Sequence, residues 1–258
     1  MIFDKKIAII IEARMTSSRL PGKPLLPILG KPALERMVER LRQSKLVDEI
    51  IVCGTTHIAD DPMIELCQKI NCLYFRANEK DMIKRDVLIQ VLQAAEAHQV
   101  DIIVEVLGDC LCADWRHVDY LLEKFFEGNF DYAGNSIEKT FPSGFGVKIF
   151  STASLAHVEK ITTDPQDREH VSLHFYTHPE KYRLYSWKAP ASMHWPELSL
   201  TLDTQEDYQL ISSIYQALSP VNPDFSAQDV VDFLRKNQYL WDINKHVKRK
   251  IPSKLYVK

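Results

Sequence analysis

Residues 7–31 read IAIIIEARMTSSRLPGKPLLPILGK and decide the fold of this 258-residue chain. The stretch opens with the apolar run 7–11, which is rich in β-branched residues, as strands covered on both faces are. A loop follows that carries three cations, two serines and a glycine: Arg14, Arg19, Lys23, Ser17, Ser18 and Gly22. Arginine suits bidentate contact with phosphate oxygens, and lysine supplies a mobile point charge. We predict a central strand followed by a polyphosphate-binding loop. The alternative for the loop is a solvated turn with ordinary surface cations.

The composition is that of a globular protein with a sizeable core, since 45% of the residues are hydrophobic and 26% are charged. A formal net charge of −3 argues against a nucleic-acid groove, so any anion site must be local. No window approaches the roughly eighteen apolar residues of a membrane helix, and the N-terminal run is too short for a secretory signal. The odd number of cysteines, five, fits free thiols in a reducing compartment. We expect a cytoplasmic protein that binds neither a nucleic-acid polymer nor a membrane.

Apolar runs and amphipathic stretches alternate along the first half of the chain. After the first strand, further strands are predicted at 49–53, 72–75, 101–107 and 132–135. The helices predicted between them cover 32–44, 61–70, 86–98 and 115–127. Strands and helices of this length that alternate form right-handed βαβ units. The pattern therefore predicts a Rossmann-like α/β fold, with a mostly parallel sheet and helices on both faces.

The rhythm changes beyond about residue 141. Strands are predicted at 146–150, 182–188 and 199–202, and helices at 151–160, 169–178, 204–217 and 227–237. The predicted helix 169–178 would place His170 and His174 on one face, four residues apart. No low-complexity linker interrupts the chain. We predict a single domain over 1–258 in which about 141–200 form a substrate-side or dimerisation lobe.

Polar groups follow several predicted strands, and ligands of open parallel sheets bind outside the carboxyl ends of the strands. Gly108-Asp109 follows one strand, and Asp203 follows another. Two strand-end carboxylates in one crevice would suit Mg²⁺, which one or two carboxylates and substrate phosphates usually hold. A helix cap is the alternative for Asp109, and the better reading for Glu206 and Asp207. The GxGxxG and GxxxxGK[ST] fingerprints are absent, which counts against a dinucleotide cofactor and a P-loop.

These residues carry a resemblance to a known family. The stretch 18–25 (SRLPGKPL), preceded by Ala13-Arg14 and followed by Gly30-Lys31-Pro32, closely resembles the signature of the CMP-sugar synthetases. These are the cytidylyltransferases that activate Kdo and sialic acids. The stretches that follow in the expected order are 48–52 (DEIIV), 107–110 (LGDC) and 202–207 (LDTQED). Other details, such as 167–171 (DREHV), are most similar to the subgroup named for the spore coat polysaccharide biosynthesis protein SpsF.

The resemblance covers nearly the whole chain. It implies the fold of the nucleotide-diphospho-sugar transferases and a Mg²⁺-dependent transfer of a cytidylyl group. A hydroxyl of a 3-deoxy-2-ulosonic sugar acid attacks the α-phosphorus of CTP, pyrophosphate leaves, and a CMP-sugar for surface polysaccharide forms. It also implies a homodimer that pairs through the later lobe, with 188–196 as the candidate contact.

The resemblance further implies a role for each of a set of residues. The implied catalytic residues are Arg14, Lys23 and Asp109, and the implied metal ligands are Asp109 and Asp203. The implied nucleotide-binding residues are Ala13, Arg14, Ser17, Ser18, Arg19, Lys23, Arg85 and Asp109. The implied substrate-binding residues are Ser143, Gly144, His170 and Asp203. Arg85 could equally be an exposed arginine at a helix end. His170 could equally have a structural role.

Departures from the family pattern concentrate around the sugar pocket. Leu111 stands where the family commonly has a proline, and Gly146 stands where an acid often precedes the valine. Two other functions stay open. A nucleotide-sugar-dependent glycosyltransferase of polysaccharide biosynthesis is disfavoured, because RLPGK suits a triphosphate that leaves as pyrophosphate. An inactive nucleotide-binding scaffold would require a lost metal ligand, whereas Asp109 and Asp203 are both present.

Overall fold

The strands and helices are placed by a computed structural model that describes residues 4–77 and 86–249. The strands are β1 (Ile7–Glu12), β2 (Pro27–Ile28), β3 (Lys31–Pro32), β4 (Glu49–Thr55), β5 (Leu73–Ala77), β6 (Ile102–Leu107), β7 (Tyr132–Gly134), β8 (Lys148–Ser151) and β9 (Leu184–Ser186). The α-helices are α1 (Ala33–Leu41), α2 (Asp61–Lys69), α3 (Val87–Ala97), α4 (Trp115–Glu127), α5 (Thr152–Ile161), α6 (Pro165–Glu169), α7 (Leu173–Thr177), α8 (Gln205–Leu218) and α9 (Ala227–Lys236).

Seven of the strands form one sheet in the order β5-β4-β1-β6-β8-β7-β9. The strands β5, β4, β1 and β6 run parallel to one another. The strand β8 then lies antiparallel to both β6 and β7, while β9 is parallel to β7. The predicted α/β class with a mostly parallel sheet is therefore confirmed.

The central strand β1 is covered on both faces, as its apolar run predicts. Residues 7–11 are all fully buried. Because side chains alternate along a strand, Ile7, Ile9 and Ile11 pack with α1 and α4, whereas Ala8 and Ile10 pack with α3 and α5. A third apolar cluster joins α8 and α9 to Leu198, Leu200 and Leu202. These layers fix the carboxyl ends of β1, β4 and β6 side by side.

Two of the predicted elements are wrong. The segment 199–202 is not a sheet strand, because its partner is the loop at Ser143, with which only Ser199 forms an isolated bridge. The predicted helix 169–178 is broken into α6 and α7, with Val171 between them in the left-handed region at φ 46°. His170 and His174 therefore do not share a helix.

The proposed lobe at about 141–200 stays a prediction, although it contributes β8 and β9 to the main sheet. Within the described ranges, no helix has the length and apolar character that crossing a bilayer demands.

Candidate active site

A cavity of about 330 Å³ opens at the carboxyl ends of β1, β4 and β6. It gathers most of the residues that the sequence singles out: Ala13, Arg14, Ser17, Ser18, Arg19, Lys23, Asp109, His170 and Asp203. We refer to this cavity as the crevice. Its place is the one that the parallel topology favours for ligands. The crevice thus brings the basic loop, the carboxylates of Asp109 and Asp203, and one histidine together.

The loop after β1 folds back on itself through backbone contacts. The amide of Gly22 donates to the carbonyl of Met15 at 2.9 Å, and the amide of Met15 donates to Asp60 Oδ1 at 2.8 Å. Gly22 has a φ of 73°, a conformation that glycine adopts without the strain of a Cβ. It precedes the short 3₁₀ helix Lys23–Leu25, whose second residue is proline. The turn places the side chain of Lys23 inside the crevice.

Lys23 joins the two predicted metal-binding carboxylates. Its Nζ lies 3.4 Å from Asp109 Oδ2 and 3.1 Å from Asp203 Oδ1, and it donates to the carbonyl of Leu202 at 2.8 Å. Arg19 Nη2 lies 2.9 Å from the same oxygen of Asp203. The side chains of Lys23, Asp109 and Asp203 are only 14%, 20% and 13% exposed, so solvent screens these pairs weakly. Lys23 and Arg19 therefore offset the charges of Asp109 and Asp203 within the crevice.

Asp109 is placed by its neighbour Gly108. The amide of Gly108 donates to the carbonyl of Glu12 at 3.0 Å. A Cβ added at Gly108 would lie 2.4 Å from that carbonyl oxygen, so only glycine lets β6 end this close to β1. The amide of Leu202 donates to the carbonyl of Asp109 at 2.9 Å, which brings the two carboxylate-bearing segments together.

Asp203 is placed by Asp207, which forms a capping box with Thr204 at the start of α8, as the cap reading predicts. Asp207 Oδ2 accepts hydrogen bonds from the amides of Asp203 and Thr204 at 3.0 and 2.9 Å. Arg249 holds the same carboxylate in two hydrogen bonds of 2.8 and 2.6 Å. Burial raises the pKa of Asp207, but the hydrogen bonds from Arg249 and Asn244 outweigh it and hold that pKa below its ordinary value.

A second set of polar residues lies beneath the crevice and was not predicted as functional. Glu12 lines the crevice, and burial, reinforced by the nearby Glu105, raises the pKa of Glu12 to about 8 while Lys148 opposes the shift. Lys148 forms a buried ion pair with Glu105. Gln90 on α3 also lines the crevice and is 5% exposed. A charged residue that ends or interrupts an apolar strand, as Glu12 ends β1 and Glu105 interrupts β6, is the sequence signal that could have indicated these two.

The donor set fits a hard divalent cation. Asp109 and Asp203 approach the same Lys23 nitrogen, so both can reach one ion. No group of three or more His, Cys, Asp or Glu suited to a metal occurs in the described part of the chain. Mg²⁺ is usually held by one or two carboxylates together with water and substrate phosphates, and the metal-binding roles of Asp109 and Asp203 stay predictions.

The other predicted substrate residues lie in different places. His170 lines the crevice at the end of α6, and burial lowers its pKa. Ser143 and Gly144 are not part of the crevice lining; the amide of Ser143 donates to the carbonyl of Leu198 at 3.0 Å, which binds this loop to the third apolar cluster. Arg85 lies outside the described residues. The roles of all these residues stay predictions.

Comparison with known proteins assigns a family to this geometry. The sequence model of a family described as cytidylyltransferase matches residues 8–230. An uncharacterized protein of Methanocaldococcus jannaschii is 31% identical over 245 residues, which are 95% of this chain and 97% of the relative. The spore coat polysaccharide biosynthesis protein SpsF of Bacillus subtilis is 30% identical over 236 residues, which are 90% of this chain and 95% of the relative.

Two solved structures share the fold. A cytidylyltransferase from Leptospira borgpetersenii superposes with a TM-score of 0.84 at 29% identity, over 96% of this chain and 100% of that one. The structure of CMP:2-keto-3-deoxy-manno-octonic acid synthetase complexed with CTP superposes with a TM-score of 0.62 at 18% identity, over 82% of this chain and 98% of that one.

Proposed function

This chain belongs to the cytidylyltransferase family, and from that premise we propose that it transfers CMP from CTP to a 3-deoxy-2-ulosonic sugar acid. The acceptor is of the Kdo or nonulosonic type, and pyrophosphate is released. Two named proteins support this choice: the synthetase solved with CTP and the polysaccharide biosynthesis protein SpsF. The observation that carries the proposal is the contact of Lys23 with both Asp109, after the end of β6, and Asp203, just before α8.

The reaction places negative charge where the basic loop lies. A hydroxyl oxygen of the sugar acid forms a bond to the α-phosphorus of CTP, and the bond from that phosphorus to the bridging oxygen of pyrophosphate breaks. Fixed cations lower the barrier when they face the atoms on which charge develops. We assign Arg14, Arg19 and Lys23 to the triphosphate, with hydrogen bonds from Ser17 and Ser18. The proton of the attacking hydroxyl leaves to solvent or to a crevice carboxylate.

Mg²⁺ is part of the proposal. Asp109 and Asp203 would hold the ion, which when bound screens the charge of the phosphate oxygens. Lys23 pairs with both of these carboxylates. The lysine therefore has to exchange carboxylate oxygens for phosphate oxygens when substrate and cation enter.

We also propose that two copies of the chain pair through residues 188–196, in the cytoplasm. This segment is largely exposed, and it includes Trp195, whose ring packs against Trp241 at 5.3 Å between centroids. Light scattering on the intact protein tests the pairing. The mass of a single chain at micromolar concentration would contradict it.

A substrate screen tests the function. The protein is incubated with CTP, UTP, ATP or GTP and a panel of sugar acids, with and without Mg²⁺, while pyrophosphate is followed and products are identified by mass spectrometry. We expect pyrophosphate and a CMP-sugar only from CTP with a sugar acid and Mg²⁺. A glycosyltransferase would instead consume a preformed nucleotide sugar and release no pyrophosphate. Folded protein that yields no pyrophosphate with any pair would contradict the proposal.

A further inference from the structure

Two buried polar atoms at the crevice have no hydrogen-bond partner within residues 4–77 and 86–249. They are the Oε1 acceptor of Glu12, at the end of β1, and the Nε2 donor of Gln90, on α3. Both residues line the crevice. Buried polar groups in folded proteins are almost always hydrogen-bonded, and one left unpaired costs free energy. An unpaired acceptor and an unpaired donor in one cavity indicate that a ligand completes them.

The two groups belong to neighbouring parts of one wall. Glu12 is the register partner of Cys53 on the adjacent strand β4. The thiol of Cys53 donates to the carbonyl of Gln90 at 3.6 Å. Cys53 thus ties the end of β1 to α3, and it also lines the crevice. Glu12 and Gln90 therefore border the same part of the crevice from a strand and from a helix.

Apolar residues flank the two polar groups. Ala13, Val87 and Leu107 line the crevice beside the two polar groups. A polyhydroxylated sugar requires many hydrogen-bond partners, whereas a flat heterocycle needs apolar surface and a few polar groups along one edge. The cations of the basic loop, which begins directly after Glu12, account for the phosphates. This wall suits the remaining part of a nucleotide.

We propose that Glu12 and Gln90 form a subsite that reads the edge of the nucleobase. Glu12 Oε1 accepts a hydrogen bond from an exocyclic amino group, and Gln90 Nε2 donates one to the neighbouring ring nitrogen. Cytosine presents this order of donor and acceptor, while uracil presents a carbonyl and an N–H in reverse. A site built to hydrogen-bond one ligand rejects an analogue that leaves its buried groups unpaired. The inference rests on the proposed function, which places the triphosphate in the basic loop.

The test measures binding and needs no turnover. Calorimetric titrations of CTP, UTP and inorganic tripolyphosphate are compared for the wild type, Glu12→Gln, Gln90→Ala and the control Gln93→Ala. Gln93 lies on the same helix α3, outside the crevice lining. We expect Gln90→Ala to weaken the binding of CTP roughly 10- to 100-fold and to leave the binding of tripolyphosphate unchanged. Glu12→Gln keeps the shape but replaces one carboxyl oxygen with an amino group that can only donate, so the preference for CTP over UTP should fall about tenfold.

Three outcomes would overturn the subsite. In the first, both variants bind CTP and UTP as the wild type does. In the second, the binding of tripolyphosphate is weakened as much as that of CTP, which would mean that Glu12 and Gln90 only support the structure of the basic loop. In the third, CTP binding is unchanged and only the calorimetric binding of a sugar acid is weakened, which would place the pair at the acceptor. A wild type that binds CTP but forms no product would refute the proposed transfer and leave the subsite standing.

Discussion

Lys23→Met removes one positive charge from the crevice and keeps a side chain of similar length. Lys23 Nζ donates to the carbonyl of Leu202 at 2.8 Å and lies within 3.4 Å of both Asp109 and Asp203. The substitution leaves two carboxylates close together, with Arg19 still paired to Asp203. It therefore separates the contribution of the lysine charge from that of its packing.

The expected magnitude follows from burial and distance. At an effective dielectric constant of about 20, a pair 3.1 Å apart gains about 5 kcal/mol before desolvation is subtracted. Breaking a fully buried pair costs about 3–5 kcal/mol. These side chains keep 13–20% of their exposure, so we expect the free energy of unfolding to fall by about 2 kcal/mol. The loss of one fixed cation facing the leaving group should lower kcat/KM by about 10²- to 10³-fold.

The assay combines three measurements on Lys23→Met: urea unfolding, pyrophosphate release, and Mn²⁺ binding by electron paramagnetic resonance without nucleotide. Because the lysine competes with a divalent cation for Asp109 and Asp203, Mn²⁺ should bind the variant more tightly than the wild type. Lys31→Met is the matched control, since Lys31 is 40% exposed and pairs with Glu35 and Glu39 outside the crevice. The reasoning is refuted if Lys23→Met keeps turnover within twofold of wild type and binds Mn²⁺ no better.

Three further predictions concern Gly108, Arg249 and His117. Gly108→Ala places a Cβ 2.4 Å from the carbonyl oxygen of Glu12, so urea unfolding should show a loss of about 2–4 kcal/mol. Arg249→Ala removes the cation that pairs with the buried Asp207. We expect the free energy of unfolding to fall by about 2–3 kcal/mol and Mn²⁺ binding to weaken, with partial recovery of both in Arg249→Lys. Burial lowers the pKa of His117 to about 4, and on acidification the unfolded chain takes up the proton first, so stability should fall between pH 6.5 and 4 by about 3 kcal/mol.

Each of these predictions has a control and an outcome that contradicts it. Gly146 has open space around its Cβ direction, so Gly146→Ala should be far milder than Gly108→Ala; equal losses would contradict the close approach of β1 and β6. For Arg249, unchanged Mn²⁺ affinity in a destabilised variant would mean that Asp207 does not position Asp203. His117 packs against Phe141 and Trp187, so His117→Phe should remove the contribution of this residue to the fall of the unfolding free energy between pH 6.5 and 4. An unaltered pH dependence of stability would assign that fall to other groups.

The sequence predicts what short stretches determine by themselves. The β-branched run of β1 and the alternation of strands and helices predict the parallel sheet, and Thr204 with Asp207 predicts a cap. Strand ends in such a sheet meet at one edge, so the position of Asp109 after a predicted strand favours the crevice, which it lines. The basic loop of 13–23 is recognisable because its three cations lie within ten positions of one another.

Contacts between distant parts of the chain could not be predicted. Segment 199–202 has the composition of a strand but pairs only with a loop, and the left-handed Val171 breaks a stretch whose side chains favour a helix. The unpaired atoms of Glu12 and Gln90 become visible only when β1 and α3 are packed together. Arg249 reaches Asp207 across 42 positions, and no local pattern indicates that pairing.

The clasp of Arg249 on Asp207 also sets an order of assembly during synthesis. The ribosome makes β1 and its basic loop first, and domains begin to fold from the N-terminal side. Asp203 emerges much later, and the guanidinium that fixes its supporting carboxylate, Asp207, lies 42 residues beyond that carboxylate. A nascent chain can therefore form most of its sheet before Arg249 pairs with Asp207 and fixes the segment that carries Asp203. Ribosome-bound intermediates stalled before residue 249 should resist protease, as folded chains do, and yet bind divalent cations poorly.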